Sequence, residues 1–125
     1  MADADFRSYV EAWRRRLAAE REREAELARE AWAEAERLAR WLREKAGARE
    51  VWAFGSLALS RRGERTFHER SEIDLAVRGI PPADFYTVYG RLLMESRFPL
   101  DLVDLDDAPA ALREAVLREG VPLGP

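Results

Sequence analysis

The fold is decided by VWAFGS at residues 51–56 and by SEIDLAV at residues 71–77. The first stretch is apolar and stops at a Gly-Ser pair, which is typical of a buried strand that ends in a turn. The second alternates acidic and apolar residues, which is typical of a strand with one polar face. We therefore predict two strands, with the chain leaving the first at Gly55.

The second predicted strand carries two acids on one face. Successive strand side chains point to opposite sides, so Glu72 and Asp74 share a face while Ile73 and Leu75 share the other. Two carboxylates held this close repel, and one pKa rises unless a cation compensates. Hard oxygen ligands favour Mg²⁺. The alternative is a solvated strand face beside an ordinary Gly-Ser turn.

A third acid belongs to the apolar run at residues 98–105, which predicts another strand. Asp101 and Asp104 are an odd number of positions apart, so they point to opposite faces. Only one of them can face the pair at Glu72 and Asp74. The alternation alone leaves the choice open.

A strand ending in Gly-Ser, an acid-hydrophobe-acid strand and a later acidic strand together resemble the nucleotidyltransferase superfamily that includes DNA polymerase beta. In length and in its DLVDL segment at residues 101–105, the chain resembles the minimal nucleotidyltransferases, the MNT proteins encoded beside HEPN partners in toxin–antitoxin pairs. The resemblance covers Leu27 to Gly124. It implies an α/β (α+β) nucleotidyltransferase fold, with helices packed on a small mixed sheet in the order helix, strand, strand, helix, strand, helix.

The resemblance also implies a role for each matching acid. Glu72 and Asp74 match the metal-binding pair of a two-metal Mg²⁺ site. Asp101 matches the third acid, which also binds metal and assists the attacking hydroxyl, and Asp104 is the alternative.

Nucleotide binding is implied for the segment that follows the first strand. Gly55 and Ser56 match the Gly-Ser that holds the nucleotide phosphates. Arg61, Arg62 and Arg65 lie in the loop that follows, where they either pair with phosphate oxygens or belong to a mobile surface loop.

The chain departs from the family pattern in two places. The first acid is Glu72 where the family usually has Asp. The loop at residues 57–71 is longer than usual and has apolar residues directly after Gly-Ser, where the minimal members have a basic one.

The implied function is Mg²⁺-dependent transfer of AMP from ATP to a hydroxyl of a HEPN toxin, with this chain as the antitoxin. The rival interpretation is a catalytically weak or inactive module of the same fold that neutralises a partner by binding it. Glu72 and the altered loop favour the rival.

The composition argues against several other classes of protein. With 21 basic and 24 acidic residues the net charge is −3, which argues against nucleic-acid binding. Cysteine is absent, and no apolar run approaches the roughly 18 residues of a membrane span, so we expect a cytoplasmic protein. Asn and Gln are absent and Lys45 is the single lysine, a composition that fits a thermophile or a GC-rich genome.

The N-terminal segment contains neither Gly nor Pro from Asp5 to Ala46, and its apolar residues recur at helical spacing. One such helix would be roughly 63 Å long, about twice the diameter of a small domain. The helix therefore either breaks at residues 19–26 or projects from the domain. We divide the chain into a helical extension, 1–24, and a nucleotidyltransferase domain, 25–125.

The two halves of this helix have different expected contacts. We expect the second half to pack on the sheet and Gly47 to end it. The first half has an aromatic-rich stripe that predicts a protein interface, with a homo-oligomer as one possible assembly. The sheet contacts are expected from Trp32, Leu38 and Leu42, and the stripe consists of Phe6, Tyr9, Val10, Trp13 and Leu17.

Overall fold

Four strands and four helices make up the fold in the computed structural model, which describes residues 2–125. The elements in chain order are α1 Ala2–Ala46, β1 Glu50–Phe54, α2 Gly55–Arg61, β2 Ile73–Arg78, α3 Phe85–Glu95, β3 Leu100–Asp104, a 3₁₀ turn Leu105–Asp107, α4 Ala110–Glu119 and β4 Val121–Pro122.

The strands form one mixed sheet in the order β3-β2-β1-β4. β1 is antiparallel to both β2 and β4, whereas β2 and β3 are parallel. The predicted small mixed sheet is therefore confirmed. β2 has a neighbour on each side, and its apolar residues are buried throughout because both faces of the sheet are covered there.

The sheet is covered on both faces. The second half of α1 packs on the face formed by Ile73, Leu75 and Val77, and it does so through Leu38 and Leu42, which are fully buried. Trp32 lies partly buried at the edge of this core, so the predicted contacts of α1 are confirmed. On the opposite face, α4 packs on the sheet through Val116, which belongs to a smaller cluster of apolar side chains from β1, β2 and the segment before α4: Trp52, Ala76, Leu105, Ala108 and Val116.

Helix α1 is continuous over 45 residues, about 68 Å at 1.5 Å per residue. There is no break at residues 19–26, so the first half projects from the sheet. Its aromatic side chains are solvent-exposed, 68% for Phe6, 66% for Tyr9 and 50% for Trp13. The helix ends before Gly47, whose φ of 76° reverses the chain direction, as predicted. The division of the chain after residue 24 stays a prediction.

Three elements were missing from the predicted order. The first part of the expected loop, residues 57–61, is helical and completes α2, which is shorter than the window in which a helical period is recognisable. The 3₁₀ turn and β4 are also additions. β4 has only two residues, and its pairing with Trp52 and Ala53 of β1 is a long-range contact that local sequence does not encode.

In residues 2–125 no helix has a run of apolar residues long enough to cross a membrane.

Replacing Leu38 by Ala tests the packing of α1 on the sheet. Leu38 is fully buried, so Leu38→Ala should lower the free energy of unfolding by about 2–5 kcal/mol. Leu17→Ala is the matched control in the same helix, and it should change stability by less than about 0.5 kcal/mol because Leu17 is exposed. Urea unfolding followed by circular dichroism measures both. Equal losses in the two variants would contradict the packing.

Candidate active site

Asp74 of β2 and Asp101 of β3 are register partners in the parallel pair. Registered neighbours on adjacent strands, about 4.8 Å apart, point to the same side of a sheet. Ile73 and Leu75 face α1, so the two carboxylates lie on the opposite side, the one that α4 covers in part. Sequence alternation and strand register together therefore bring two of the three candidate acids side by side.

The surroundings of this pair disfavour the ionised form of Asp74. Burial, followed by the negative charges of Asp101 and Glu72, raises the pKa of Asp74 to about 6. Glu72 is exposed and lies one residue before β2 begins. Among residues 2–125, no basic side chain forms an ion pair with any of the three acids. The cluster thus carries negative charge that the protein does not neutralise.

The hydroxyl of Tyr89 donates a hydrogen bond of 2.7 Å to Oδ1 of Asp101. Burial, followed by this hydrogen bond, raises the pKa of the Tyr89 hydroxyl, so the group stays a donor. Tyr89 comes from α3, and it fixes one oxygen of Asp101 while Oδ2 makes no hydrogen bond within residues 2–125. The sequence did not predict a role for Tyr89 in the site, because its spacing indicated only that it lies on the apolar face of α3.

Gly55 closes the site from the end of β1. Its φ of 66° lies in the left-handed region, and a Cβ at this position would collide with Oδ2 of Asp74 and lie 3.1 Å from Cγ. Phe54 is the register partner of Asp74, so the chain turns into α2 directly beside the carboxylate. Ser56 follows in the first turn of α2 and is partly buried.

The loop arginines lie elsewhere. Arg61 is at the other end of α2, about 9 Å from Gly55 along the helix axis, and its guanidinium stacks 4.1 Å from the ring centroid of Trp32. Arg62 and Arg65 are exposed beyond the helix. The structure does not bring Arg61 to the carboxylates, and phosphate binding by the three arginines stays a prediction.

Asp104, the alternative third acid, occupies a different position. It is the register partner of Val77, and alternation along β3 turns it away from the side on which Asp101 lies. Its Oδ1 accepts a hydrogen bond of 3.1 Å from the backbone N–H of Asp106 and thereby caps the 3₁₀ turn.

The carboxylates fit a hard divalent cation in their chemistry. Glu72, Asp74 and Asp101 offer only oxygen ligands, and a bound cation would compensate the repulsion that raises the pKa of Asp74. Within residues 2–125, no three acidic or histidine side chains converge as a complete ligand set. This is compatible with Mg²⁺, which is usually held by one or two carboxylates together with waters and substrate phosphates.

The architecture matches solved structures of toxin–antitoxin complexes. A toxin–antitoxin crystal structure with AMP-PNP aligns at a TM-score of 0.58 and 23% identity, over 71% of this chain and 72% of that chain. The crystal structure of the toxin–antitoxin MntA-HepT gives a TM-score of 0.54 and 21% identity, over 74% and 71%. A mutant of that pair, in which two aspartates two positions apart are replaced by glutamates, gives 0.56 and 24%, over 70% of each chain.

The chain has the nucleotidyltransferase fold. The predicted fold class is therefore confirmed, and the resemblance to the minimal nucleotidyltransferases agrees with these neighbours. No family model and no curated protein matches the chain.

Adding a methyl group at Gly55 tests its contact with Asp74. Gly63 is the matched control, because its φ of 75° is similar but no atom lies within 4 Å of its Cβ position. Gly63→Ala should lower stability by about 1–2 kcal/mol through backbone strain alone. Gly55→Ala should lower it by about 1–2 kcal/mol more, because Asp74 must also move.

The contribution of the collision is isolated by repeating both substitutions in an Asp74→Ala background. There Gly55→Ala should have the same effect as Gly63→Ala when both are measured by urea unfolding. Equal effects in the wild-type background would instead show that Asp74 gives way freely.

The raised pKa of Asp74 predicts how stability depends on pH in the absence of divalent cations. A carboxyl whose pKa rises from 3.8 to about 6 on folding contributes stability below pH about 4, and this stability is lost as the pH rises through about 6. Asp74→Asn cannot ionise. The variant should therefore gain on the order of 1 kcal/mol relative to wild type between pH 4.5 and 7.5, a figure discounted for partial solvent exposure.

Thermal unfolding at the two pH values in EDTA measures the effect. Asp107→Asn, at an exposed carboxyl, is the control and should leave the pH dependence of wild type unchanged. Identical pH dependence in wild type and Asp74→Asn would contradict the assignment.

Proposed function

We propose that this chain is a Mg²⁺-dependent nucleotidyltransferase that transfers AMP from ATP to a hydroxyl group of a HEPN-type protein partner and thereby acts as its antitoxin. The observation that carries the proposal is the pairing of Asp74 with Asp101 beside Gly55, at one end of a nucleotidyltransferase sheet. An uncompensated acidic pair next to a turn that only glycine fits is an arrangement suited to a metal-bound triphosphate.

Glu72, Asp74 and Asp101 are the residues that would hold Mg²⁺. When bound, the ions neutralise the triphosphate and lower the pKa of the attacking hydroxyl. The backbone N–H groups of Gly55 and Ser56, at the start of α2, would donate hydrogen bonds to phosphate oxygens. The absence of a side chain at Gly55 lets its backbone lie directly against the Asp74 carboxylate.

Asp101 is assigned as the group that assists the acceptor. Its Oδ1 accepts the hydrogen bond of the Tyr89 hydroxyl and keeps a second lone pair, so one oxygen would hold Mg²⁺ and the other would take the proton of the attacking hydroxyl. The acceptor oxygen bonds to the α-phosphorus, and pyrophosphate leaves. Tyr89 holds the carboxylate in one orientation through this step and is itself a positioning residue.

The nature of the acceptor is inferred from the neighbours. The MntA-HepT structures are toxin–antitoxin complexes, and a structure of this kind was determined with AMP-PNP. A protein acceptor also suits a chain with a net charge of −3, which offers no overall positive field for nucleic acid.

A second function, partner neutralisation by binding alone, is favoured by the position of Glu72. This residue precedes β2 and is exposed, and the acids in residues 2–125 do not converge into a full set of metal ligands. The two functions make opposite predictions about Mg²⁺-dependent nucleotide binding.

Titration calorimetry with AMP-PNP distinguishes them. Wild type should bind AMP-PNP in the presence of Mg²⁺ and at least ten-fold more weakly in EDTA, because the triphosphate then faces bare carboxylates. Asp74→Asn and Asp101→Asn should lose the Mg²⁺ effect. Asp104→Asn is the matched control on the same strand and should retain it, since Asp104 points away from Asp74.

Transfer itself is measured as labelled AMP on a HEPN-type protein tested as the partner of this chain. Asp74→Asn should abolish labelling, and Glu72→Asp should preserve or raise it. Labelling that persists in Asp74→Asn contradicts the metal site. Absence of labelling in every variant, with tight partner binding, supports the binding module.

A further inference from the structure

The projecting half of α1 carries an apolar row with coiled-coil spacing. Phe6, Val10, Trp13 and Leu17 follow each other at intervals of four, three and four residues, which is the seam of a seven-residue repeat. We call these four residues the arm seam. Phe6, Trp13 and Leu17 are 68%, 50% and 37% exposed and Val10 is partly exposed, so nothing within residues 2–125 covers the seam.

Arginine borders the arm seam on both sides. The positions that flank a seam of this register are Arg7, Arg14 and Arg21 on one side and Tyr9, Arg16 and Arg23 on the other. Arg21 and Arg23 continue the two rows beyond Leu17, where Glu20 and Glu24 take the next seam positions. All six flanking side chains are exposed, and the guanidinium of Arg16 lies 5.8 Å from the ring centroid of Trp13. Within residues 2–125, none of the five arginines takes part in an ion pair.

The flanking charges disfavour a second copy of this chain as the occupant. In a parallel pair, Arg16 of one copy would face Arg21 of the other. In an antiparallel pair, the row that contains Arg7 and Arg14 would face itself. Flanking charges select the partner and its orientation in coiled coils, and like charges in these positions oppose pairing.

We propose that the arm seam docks an α-helix of a different protein, whose own apolar seam is flanked by Glu or Asp. Such a helix covers the exposed aromatic side chains and places a carboxylate opposite each flanking arginine. The interaction combines apolar burial, which provides affinity, with charge pairing, which provides specificity.

The docked helix would lie beyond the end of the sheet at which β1 ends. By helical period, the arm seam is on the same face of α1 as Ala31, Leu38 and Leu42, which contact the sheet. The C-terminal end of α1 precedes the start of β1, whereas Trp32 meets Arg61 of α2, which follows the end of β1. The arm therefore projects past the end of the sheet at which β1 ends, where Gly55 adjoins Asp74.

This placement makes the arm the docking site for the protein that receives AMP, a step that rests on the proposed function. Docking itself does not depend on catalysis. It is measured without nucleotide, so a failure to dock and a failure to transfer are separate results.

The test uses two synthetic helical peptides of about 21 residues, three heptads, with identical Ile and Leu seams. One peptide has Glu at every flanking position and the other has Lys. Fluorescence anisotropy with the full chain should show at least ten-fold tighter binding of the Glu peptide at about 0.05 M salt. The difference should shrink at about 0.5 M salt, because the flanking charges are screened.

Two sets of variants locate the binding. Trp13→Ala should weaken binding of the Glu peptide at least ten-fold. The double variant Arg14→Glu/Arg16→Glu should reverse the preference toward the Lys peptide. Arg15→Glu/Arg29→Glu changes net charge equally on the outer face of the helix and should leave the preference unchanged. Circular dichroism verifies that each variant remains helical.

Three results would overturn the proposal. The first is equal affinity for the two peptides, and the second is a preference that Arg14→Glu/Arg16→Glu leaves unaltered. The third is self-association of the full chain, seen by light scattering and abolished by Trp13→Ala, because a second copy would then be the occupant of the arm seam.

Discussion

The contact between the Gly55 backbone and the Asp74 carboxylate is the constraint on which the candidate site depends. β1 ends opposite Asp74, and the chain must turn at once into α2 with a positive φ and no side chain. The same turn lies against the half-buried carboxylate and excludes part of its surrounding water. The backbone geometry that builds the site is thus also a cause of the raised pKa of Asp74.

The buried Glu34 shows that this fold can pair a carboxylate with a basic side chain, so the lack of such a partner at Asp74 is a feature of the site. Glu34 is 5% exposed, yet its pKa is lowered, first of all by hydrogen bonding to Arg37, whose guanidinium lies 2.6 Å and 3.0 Å from its two oxygens. The backbone N–H of Arg97 adds a bond of 2.7 Å. The carboxylate of Glu34, which lies outside the candidate site, is thus neutralised by an arginine. The pair at Asp74 and Asp101 has only a neutral donor, Tyr89, which is the pattern expected where an external cation completes the site.

The sequence allowed prediction of the parts that follow from the repeat of apolar residues along a strand or a helix. Strand alternation placed Asp74 away from Leu75, and helical spacing placed Leu38 and Leu42 in the core, because buried elements keep their period strictly. Contacts between elements that are distant in the chain could not be predicted from the sequence. The hydrogen bond from Tyr89 to Asp101 joins two elements whose approach angle no local pattern encodes, and β4 is defined by its pairing with β1, about 70 residues earlier in the chain. The continuity of α1 was equally undecidable, since its apolar stripe fades between Leu17 and Leu27 while its helix-forming residues continue.

The loss of the apolar stripe between Leu17 and Leu27 divides α1 into a half that packs on the sheet and a half that projects with an exposed apolar seam. Glu20 and Glu24 interrupt the apolar face of α1 where it leaves the sheet, and they line a groove together with His68 and Arg70 of the loop before β2. The interruption ends the core without ending the helix. Since an unbroken helix transmits orientation, as a flexible linker does not, the packing of Leu38 and Leu42 also sets the direction of the arm. A helix docked on the arm seam therefore takes a defined position relative to Asp74, so the continuity of α1 turns a binding surface into a positioning device.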